Sequence, residues 1–213
     1  MKSIKQIIWD WNGTLLDDAW LCVQSMNKVL QRRQMPELTS ARYQEVFDFP
    51  VIKYYELLGF DFKKEPFTIV GTEFINEYYK NSHKLDLQEG AKKVFNTIKE
   101  KGISQSILSA QKQSSLEKLL KDFQIDKYFE HIIGLDNHYA HSKTENGLKL
   151  IETLPQEPNE VLLVGDTVHD FEVAEKMKVK CVLIPSGHHS RKKLENTDSI
   201  IANSVNDIVQ MLD

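Results

Sequence analysis

Five polar side chains stand beside the ends of predicted strands. Asp10 follows the apolar run "IIW", Ser109 closes "SQSIL", and Asp166 follows "VLLVG", with Asp170 one helical turn later; Lys143 begins a predicted helix. In an open α/β sheet, ligands bind outside the carboxyl ends of the strands, so we expect these five side chains to share a pocket. A nucleophilic carboxylate, a hydroxyl group, a cation and a metal-binding carboxylate together suit phosphoryl transfer, in which catalysis is mostly positioning and charge neutralisation.

The elements that would position these residues alternate in type from Glu89 onward. Short apolar stretches alternate with helices of about ten residues that begin near "EGAKK", "SSLEK", "KTENG" and "DFEVA". Such alternation is typical of βαβ units and predicts a parallel sheet with helices on both faces. The first strand, "KQIIW", leads to Asp10. We therefore predict an α/β fold whose core is a Rossmann-like, doubly wound parallel sheet.

A long helical segment separates the first predicted strand from the others. Apolar residues recur at helical spacing from Asp17 to about Arg33, and residues 39–82 look helical throughout. Residues 39–82 also hold 11 of the 17 Phe and Tyr residues of the chain. We expect these rings to form a small core of their own, with one or two at the roof of the pocket. The predicted domains are an α/β core, residues 1–16 and 84–213, and an inserted helical cap, residues 17–83, called the cap segment below.

Four short motifs, in this order and on these elements, carry a resemblance to a known family. They are "DWNGTLLD" after the first strand, "LSA" at the second, "SK" at a helix start and "VGDTVHD" after a later strand. The chain resembles the haloacid dehalogenase (HAD) superfamily, in particular its phosphoglycolate phosphatase-like branch with a helical C1 cap inserted after the first strand. The resemblance implies a phosphatase (phosphoric monoester hydrolase) acting on small phosphorylated metabolites.

The resemblance also implies how the phosphoryl group is held and attacked. Asp10 would be the nucleophile and would carry an aspartyl-phosphate. Ser109 and the backbone amide of Ala110 would bind phosphate oxygens, and Lys143 would neutralise both the nucleophile and the transferring group. Gly13 would let the chain turn sharply beside the phosphate without a Cβ atom in the way.

A magnesium site is the cofactor that the resemblance implies. Asp10, Asp166 and the backbone carbonyl of Asn12 would bind Mg²⁺, which prefers an all-oxygen shell. Asp170 would support the site by orienting Lys143 or a metal-bound water. A carboxylate that attacks an anionic phosphate needs both a metal and a lysine to cancel the repulsion.

Asn12 departs from the pattern of the family. Most phosphatases that the chain resembles have a second aspartate here, which protonates the leaving alcohol and later activates water, and an amide does not exchange protons near pH 7. Because general acid catalysis contributes roughly 10²- to 10⁴-fold, we expect slow turnover of alkyl phosphates and a smaller loss on aryl or acyl phosphates. Asp17, Asp18 or a pocket histidine are the candidate replacements, and deamidation of the Asn-Gly pair is another route to an acid.

Other interpretations of the same residues stay open. Asn-Gly is a strong hairpin signal, although "TLLDDAWLCV" predicts a helix directly after the turn. A non-phosphatase HAD hydrolase would also lack the second aspartate, but retention of Asp166 and Asp170 favours Mg²⁺ and phosphate. Asn12 equally fits a catalytically degenerate, regulatory phosphate-binding protein.

Five histidines are scattered over several predicted loops without the spacing of a metal cluster: His138, His141, His169, His188 and His189. We interpret them as ordinary polar surface. The loop "SGHHSRKKL" nevertheless resembles one common in the same branch of the family, which makes it a candidate for the rim of the pocket.

The bulk composition excludes several classes of partner. The chain of 213 residues has a formal net charge of −4 and no basic run, so nucleic acid is a poor candidate. No window approaches the ~18 apolar residues of a membrane span. Cys22 and Cys181 read as free thiols of a reducing compartment. We predict a cytoplasmic monomer or homodimer.

Overall fold

The fold is taken from a computed structural model, which describes residues 1, 3–135 and 143–212. The described residues form eight strands: β1 (Gln6–Trp9), β2 (Leu16–Asp17), β3 (Asp86–Leu87), β4 (Ser104–Lys112), β5 (His131–Leu135), β6 (Val161–Gly165), β7 (Lys180–Leu183) and β8 (Ile200–Ile201). They also form ten α-helices: α1 (Ala19–Arg32), α2 (Ser40–Val46), α3 (Val51–Leu57), α4 (Phe67–Asn81), α5 (Ala91–Glu100), α6 (Gln113–Asp122), α7 (Lys143–Thr153), α8 (Val168–Met177), α9 (Arg191–Leu194) and α10 (Val205–Met211).

Six strands form one parallel sheet in the order β5-β4-β1-β6-β7-β8. The chain starts at the central strand β1, moves outward through β4 and β5, and returns to β6 on the other side of β1. This reversal puts the carboxyl end of β1 at the topological switch point, where α/β sheets bind ligands. The predicted α/β fold with a doubly wound parallel sheet is confirmed.

The central strand β1 is buried on both faces because helices cover both sides of the sheet. Ile7 and Ile8 are fully buried and belong to two different apolar clusters, one on each face. The cluster that contains Ile7 continues without a break into the cap segment, where it includes Tyr43 and Tyr55. The aromatic core of the cap segment is therefore continuous with the core of the sheet, and not the separate unit that we expected.

Two elements near the site differ from the sequence-based prediction. The chain after Asp10 turns through a bridge between Asn12 and Leu16 into the two-residue strand β2, which pairs antiparallel with β3. The helix predicted from Asp17 to about Arg33 is confirmed as α1, but it begins two residues later, at Ala19, because a strand of two residues has no readable periodicity. Strand β4 runs on to Lys112, so Ser109 lies within the strand, where its register with β5 shifts.

The cap segment begins at the end of β2 and ends shortly before β3. These two strands pair with each other and are not part of the six-stranded sheet. Three separate helices, α2, α3 and α4, occupy the region that we predicted to be helical throughout. Arg33 at the end of α1 ties this segment together, since its guanidinium donates to Glu65 at 2.7 Å and to Glu73 at 3.0 Å. The division into a core, residues 1–16 and 84–213, and a cap, residues 17–83, stays a prediction. Among the described helices, none has both the length and the apolar character that crossing a bilayer requires.

Candidate active site

Three charged side chains meet at the carboxyl edge of the sheet. Lys143, at the start of α7, places its Nζ 2.5 Å from Asp10 Oδ1 and 2.6 Å from Asp170 Oδ1. All three residues are buried, with at most 6% of any of them exposed. Asp10 follows β1 and Asp170 lies in the first turn of α8, so residues far apart in the sequence are brought together as the strand-end argument predicted.

Asp166 stands next to this ion pair. The hydroxyl of Thr14 lies 3.0 Å from both Asp10 Oδ2 and Asp166 Oδ1, within hydrogen-bond distance of each, and thereby links the two carboxyl groups. One carboxylate oxygen from each of Asp10, Asp166 and Asp170 lies within 4.8 Å of the others. The sequence argument did not single out Thr14, although its position inside "DWNGT" was a usable signal.

Burial is the largest influence on the ionisation of these carboxyl groups. It raises the pKa of Asp10 to about 6, against the opposing attraction of Lys143. Burial also raises the pKa of Asp166 well above its usual range; His188 opposes the rise, and the charge of Asp10 adds to it. At Asp170 burial acts in the same direction, but Lys143 outweighs it and the pKa is lowered. Lys143 alone therefore does not keep all three carboxyl groups readily ionised.

The charge balance gives a testable stability prediction for Lys143. Lys143→Met leaves Asp10 and Asp170 buried without their cation, and breaking a buried pair in this way costs about 3–5 kcal/mol. We expect a loss of that size in the free energy of unfolding, measured by urea denaturation without added divalent metal. Lys149→Met, on the exposed face of the same helix, is the matched control and should be nearly neutral. An equal and small effect of both substitutions would contradict the assigned ion pair.

Two glycines let the loops pack against Asp166. A Cβ atom at Gly13 would lie 2.2 Å from Asp166 Oδ2, and one at Gly187 would lie 2.1 Å from the same atom. Gly13 also has a φ of 76°, which favours glycine. We predicted that the missing Cβ of Gly13 makes room for the phosphate. In the structure it makes room for the Asp166 carboxylate. Sequence reasoning missed Gly187, because nothing in "SGHH" indicates which loop it will touch.

The side chain of Asn12 is held by a buried carboxylate. Its Nδ2 donates to Asp18 Oδ2 at 2.8 Å, and the hydroxyl of Tyr78 donates to the same oxygen at 2.7 Å. The backbone N–H of Gly13 donates to the other oxygen of Asp18 at 2.8 Å. Burial would raise the pKa of Asp18, but His188 and these donors outweigh it and lower the pKa. Asp18 is therefore a carboxylate near neutral pH and a poor candidate for the missing proton donor.

Asp17, the other acidic candidate for proton donation, has an exposed side chain in β2. It is not among the residues that line the cavity beside Asp10. The geometry therefore gives Asp17 no path to the leaving group.

His188 belongs to the site and not to the surface. Its backbone N–H donates to Asp166 Oδ2 at 2.6 Å, and its ring contacts the Tyr43 hydroxyl through Nδ1 at 2.7 Å and Asp18 through Nε2 at 3.5 Å. Burial lowers the pKa of the ring, but the attraction of Asp18 more than offsets this and raises it to about 9. The interpretation of His188 as polar surface was wrong, whereas its loop does border the cavity. His188 is a pocket histidine of the kind considered as a proton donor, but its Nδ1 faces Tyr43 and its Nε2 faces Asp18, so neither nitrogen is free for a leaving group.

The other histidines differ in their surroundings. His189 is fully buried, with its Nε2 2.9 Å from the carbonyl oxygen of Phe47, so the surface interpretation was wrong here as well. The ring of His169 packs on Phe49, with centroids 4.9 Å apart. His138 and His141 lie outside the described residues.

The residues predicted to bind phosphate oxygens lie along the end of β4. Ser109 is buried, and its Oγ accepts a hydrogen bond from the backbone N–H of Gln111 at 3.0 Å, which leaves its own hydrogen free to donate. Ala110 and Gln111 both line the cavity beside Asp10, whereas Ser109 is not among its lining residues, so its place in the pocket stays a prediction. The amide oxygen and nitrogen of Gln111 are shielded from solvent and have no partner among the described residues. Gln111 was missed by the sequence argument, and its unsatisfied amide marks it as a further candidate for substrate contact.

A cavity of about 890 Å³ lies between the sheet edge and the cap segment. The sheet side contributes the charged groups, among them Asp10, Lys143 and Asp166. The cap segment contributes aromatic and aliphatic side chains, including Phe49 and Phe74. Aromatic residues of the cap segment were expected to be mainly core, and more of them line the cavity than the one or two we predicted.

Comparison with known proteins agrees with this geometry. Pyrophosphatase PpaX of Bacillus mycoides is 25% identical over 199 residues, which are 91% of this chain and 89% of that protein. A phosphoglycolate phosphatase of Aquifex aeolicus is 24% identical over 195 residues, 87% and 86% of the two chains. The structure of a haloacid dehalogenase-like family hydrolase from Streptococcus pneumoniae superposes over the full length of both chains, with a TM-score of 0.86 at 17% identity. Residues 7–184 match the family model described as haloacid dehalogenase-like hydrolase. This chain therefore belongs to the haloacid dehalogenase-like hydrolase family, and the resemblance drawn from its four motifs is confirmed.

Proposed function

We propose that this chain is a phosphatase, a phosphoric monoester hydrolase that acts on small phosphorylated metabolites through an aspartyl-phosphate on Asp10. One observation carries the proposal: the Asp10 carboxylate is held 2.5 Å from Lys143 and is linked through Thr14 to Asp166, at the carboxyl end of the central strand. Relatives named pyrophosphatase and phosphoglycolate phosphatase support phosphate chemistry at this site.

The donor set fits Mg²⁺ as the cofactor. Three carboxylates crowd within 4.8 Å, and burial together with their mutual repulsion raises the pKa of Asp166, so a divalent cation among them would relieve an excess of negative charge. We assign Asp10, Asp166 and the backbone carbonyl of Asn12 as its ligands, all of them oxygens as the ion prefers. When bound, the ion would neutralise charge on the phosphoryl oxygens and on Asp10. Asp170, which accepts from Lys143 at 2.6 Å, is assigned to orient that lysine.

The chain's own residues account for the chemical steps. An oxygen of Asp10 attacks phosphorus, and the bond between phosphorus and the leaving oxygen breaks. Lys143 offsets the repulsion between the attacking carboxylate and the phosphoryl oxygens, which Ser109 and the amide of Ala110 hold. Water then attacks phosphorus in the aspartyl-phosphate, releasing inorganic phosphate and restoring the Asp10 carboxylate.

Asn12 limits which leaving groups this site can handle. The amide is held by Asp18 and Tyr78 and gives up no proton to a departing alkoxide. Substrates whose leaving group departs without protonation are therefore favoured. Because the same amide also fits a non-hydrolytic phosphate-binding protein, turnover itself is the decisive measurement.

The two cysteines indicate the compartment of the protein. Cys22 and Cys181 are free thiols, as expected in a reducing compartment. We infer a cytoplasmic protein, a monomer or a homodimer, whose cap segment covers the site.

Metal removal tests the proposed function. We expect para-nitrophenyl phosphate to be hydrolysed in Mg²⁺, hydrolysis to stop with excess chelator, and added Mg²⁺ to restore it. Mg²⁺ should also raise the melting temperature, since a ligand that binds only the folded state stabilises it. Asp166→Asn should remove both effects, whereas Asp198→Asn, at an exposed position far from the site, should retain both. Hydrolysis that is indifferent to the chelator, or no hydrolysis at all, would refute the proposal.

A further inference from the structure

We propose that the leaving group of the physiological substrate is aromatic, so that the chain hydrolyses phosphate monoesters of phenols of metabolite size. This inference rests on the proposed function and adds the class of alcohol that is released. It depends on two observations that are independent of each other: the lining of the cavity beside Asp10 and the amide at position 12.

The cavity is large for the substrates named by the relatives. Its volume of about 890 Å³ lies near the upper end of the ~300–1,000 Å³ that is typical of sites for drug-sized ligands. A phosphoryl group fills only the end next to Asp10 and Lys143. A two-carbon acid or a second phosphate would leave most of the remaining space unfilled.

The cap side of the cavity is mostly apolar. Phe49, Phe67 and Phe74 line it, and all three are only partly buried, so each keeps accessible ring surface. Ile52 and Tyr79 also line it and are 37% and 36% exposed. Large side chains that stay accessible in a cavity are available to a ligand, in contrast to fully packed core residues. Offset or edge-on contact with such rings favours an aromatic ligand.

The cap side of the lining offers no basic side chain to a small anionic leaving group. The structure describes the whole cap segment, and its residues in the cavity lining include no lysine, arginine or histidine. The basic side chains of the lining all lie on the sheet side: Lys112 and Lys176, which are both exposed, and Lys143, His169 and His188. A glycolate carboxylate or a second phosphate held against the cap segment would therefore lose hydration without gaining a charged partner there. An uncharged aromatic ring needs no charged partner.

The chemistry at Asn12 leads to the same class. A phenol has a pKa of about 10, like that of tyrosine, whereas an aliphatic alcohol resembles water at about 15.7. Phenolate can therefore leave without a proton from the enzyme, and an alkoxide leaves poorly. The Asn12 amide, hydrogen-bonded to Asp18 and Tyr78, would then hold these two side chains in place without having to act as an acid.

The two steps balance without any further reactant. In the first, an Asp10 oxygen forms the bond to phosphorus, and the electron pair of the bond between phosphorus and the aryl oxygen departs on phenolate, which takes its proton from water. In the second, the oxygen of water bonds to phosphorus, the bond to Asp10 breaks, and both protons of that water leave with dihydrogen phosphate.

A substrate panel tests the inference. We expect kcat/KM for 2-naphthyl phosphate to exceed the value for 2-phosphoglycolate, which releases an alkoxide, by about 100-fold or more. Pyrophosphate releases phosphate, which needs no added proton, so here we expect only about ten-fold, from the apolar lining. Acetyl phosphate has a leaving group that needs no proton but does not fill the cavity, so it separates leaving-group chemistry from ring binding. We expect 2-naphthyl phosphate to exceed it by about ten-fold, the scale of apolar pocket discrimination.

Two exposed isoleucines of the cap segment provide a matched pair of variants. Ile52 lines the cavity and Ile69, 49% exposed, does not. Ile52→Ser should lower kcat/KM for 2-naphthyl phosphate by roughly ten-fold and leave acetyl phosphate hydrolysis unchanged. Ile69→Ser should change neither, and the folding of both variants is checked by their melting temperatures.

The outcomes separate the two claims. If 2-phosphoglycolate, pyrophosphate or acetyl phosphate is hydrolysed as well as 2-naphthyl phosphate, or if the two isoleucine variants behave alike, the inference is overturned and the phosphatase assignment stands. If the wild-type protein hydrolyses none of the four compounds faster than the Asp10→Asn variant does, the proposed function fails, and this inference fails with it.

Discussion

We expect Asp10→Asn to abolish turnover of every phosphorylated substrate, with a loss of at least about 10⁴-fold in kcat, on the scale seen when a catalytic nucleophile is removed. The amide is a far weaker nucleophile than the carboxylate that Lys143 and Thr14 hold in place. The substitution keeps the size of the side chain and leaves Lys143 paired with Asp170. Folding should therefore survive, and the loss is measured as inorganic phosphate released from para-nitrophenyl phosphate in Mg²⁺.

The control for Asp10→Asn must make the same chemical change at a neutral position. Asp198→Asn, on the exposed surface, should retain full activity. If Asp10→Asn kept more than about one hundredth of the wild-type kcat, another residue or a direct attack by water would carry the reaction, and the assigned nucleophile would be wrong.

We expect Asn12→Asp to raise kcat/KM for an alkyl phosphate by about 10²- to 10⁴-fold, the usual contribution of general acid catalysis. The new carboxyl group would stand where the Asn12 amide now lies 2.8 Å from a buried Asp18 oxygen. Two carboxyl groups that close together cannot both ionise readily, so the pair should hold one proton near pH 7. Aryl phosphates should gain much less, because their leaving group departs without that proton.

The readout of Asn12→Asp is the ratio of alkyl to aryl phosphate hydrolysis, which cancels differences in the fraction of active protein. Asn196→Asp, at an exposed position, makes the same change away from the site and should leave the ratio unaltered. Equal rates of Asn12→Asp and wild type on the alkyl phosphate would show that another group already supplies the proton.

The convergence of Asp10, Lys143, Asp166 and Asp170 was predictable because each stands at a strand end or a helix start that periodicity locates. Once the strands are parallel, their carboxyl ends share one edge, and the topology brings the side chains together. The fold class followed from the same alternation of strands and helices. The exact course of the chain was less predictable, since β2 has two residues and Ser109 lies before the end of β4.

The contacts that the cap segment and the last loop make with the site were not predictable from periodicity. Tyr78 reaches Asp18 across 60 positions of sequence, and Tyr43 reaches His188 across 145. Such contacts depend on how helices pack over the sheet, and a single sequence carries no local signal for that packing. His188 was interpreted as surface for this reason, since a histidine in a polar loop is buried only when another segment covers it.

Chemical trapping of the intermediate tests the account most directly. The wild-type protein is mixed with Mg²⁺ and para-nitrophenyl phosphate, quenched in acid within the first turnovers, digested and analysed by mass spectrometry. If Asp10 is the nucleophile, we expect one added phosphoryl group on the peptide that contains Asp10, localised to that carboxylate by fragmentation and absent from the Asp10→Asn variant. A phosphoryl group on any other side chain, or steady hydrolysis without a modified Asp10 at any quench time, would contradict it.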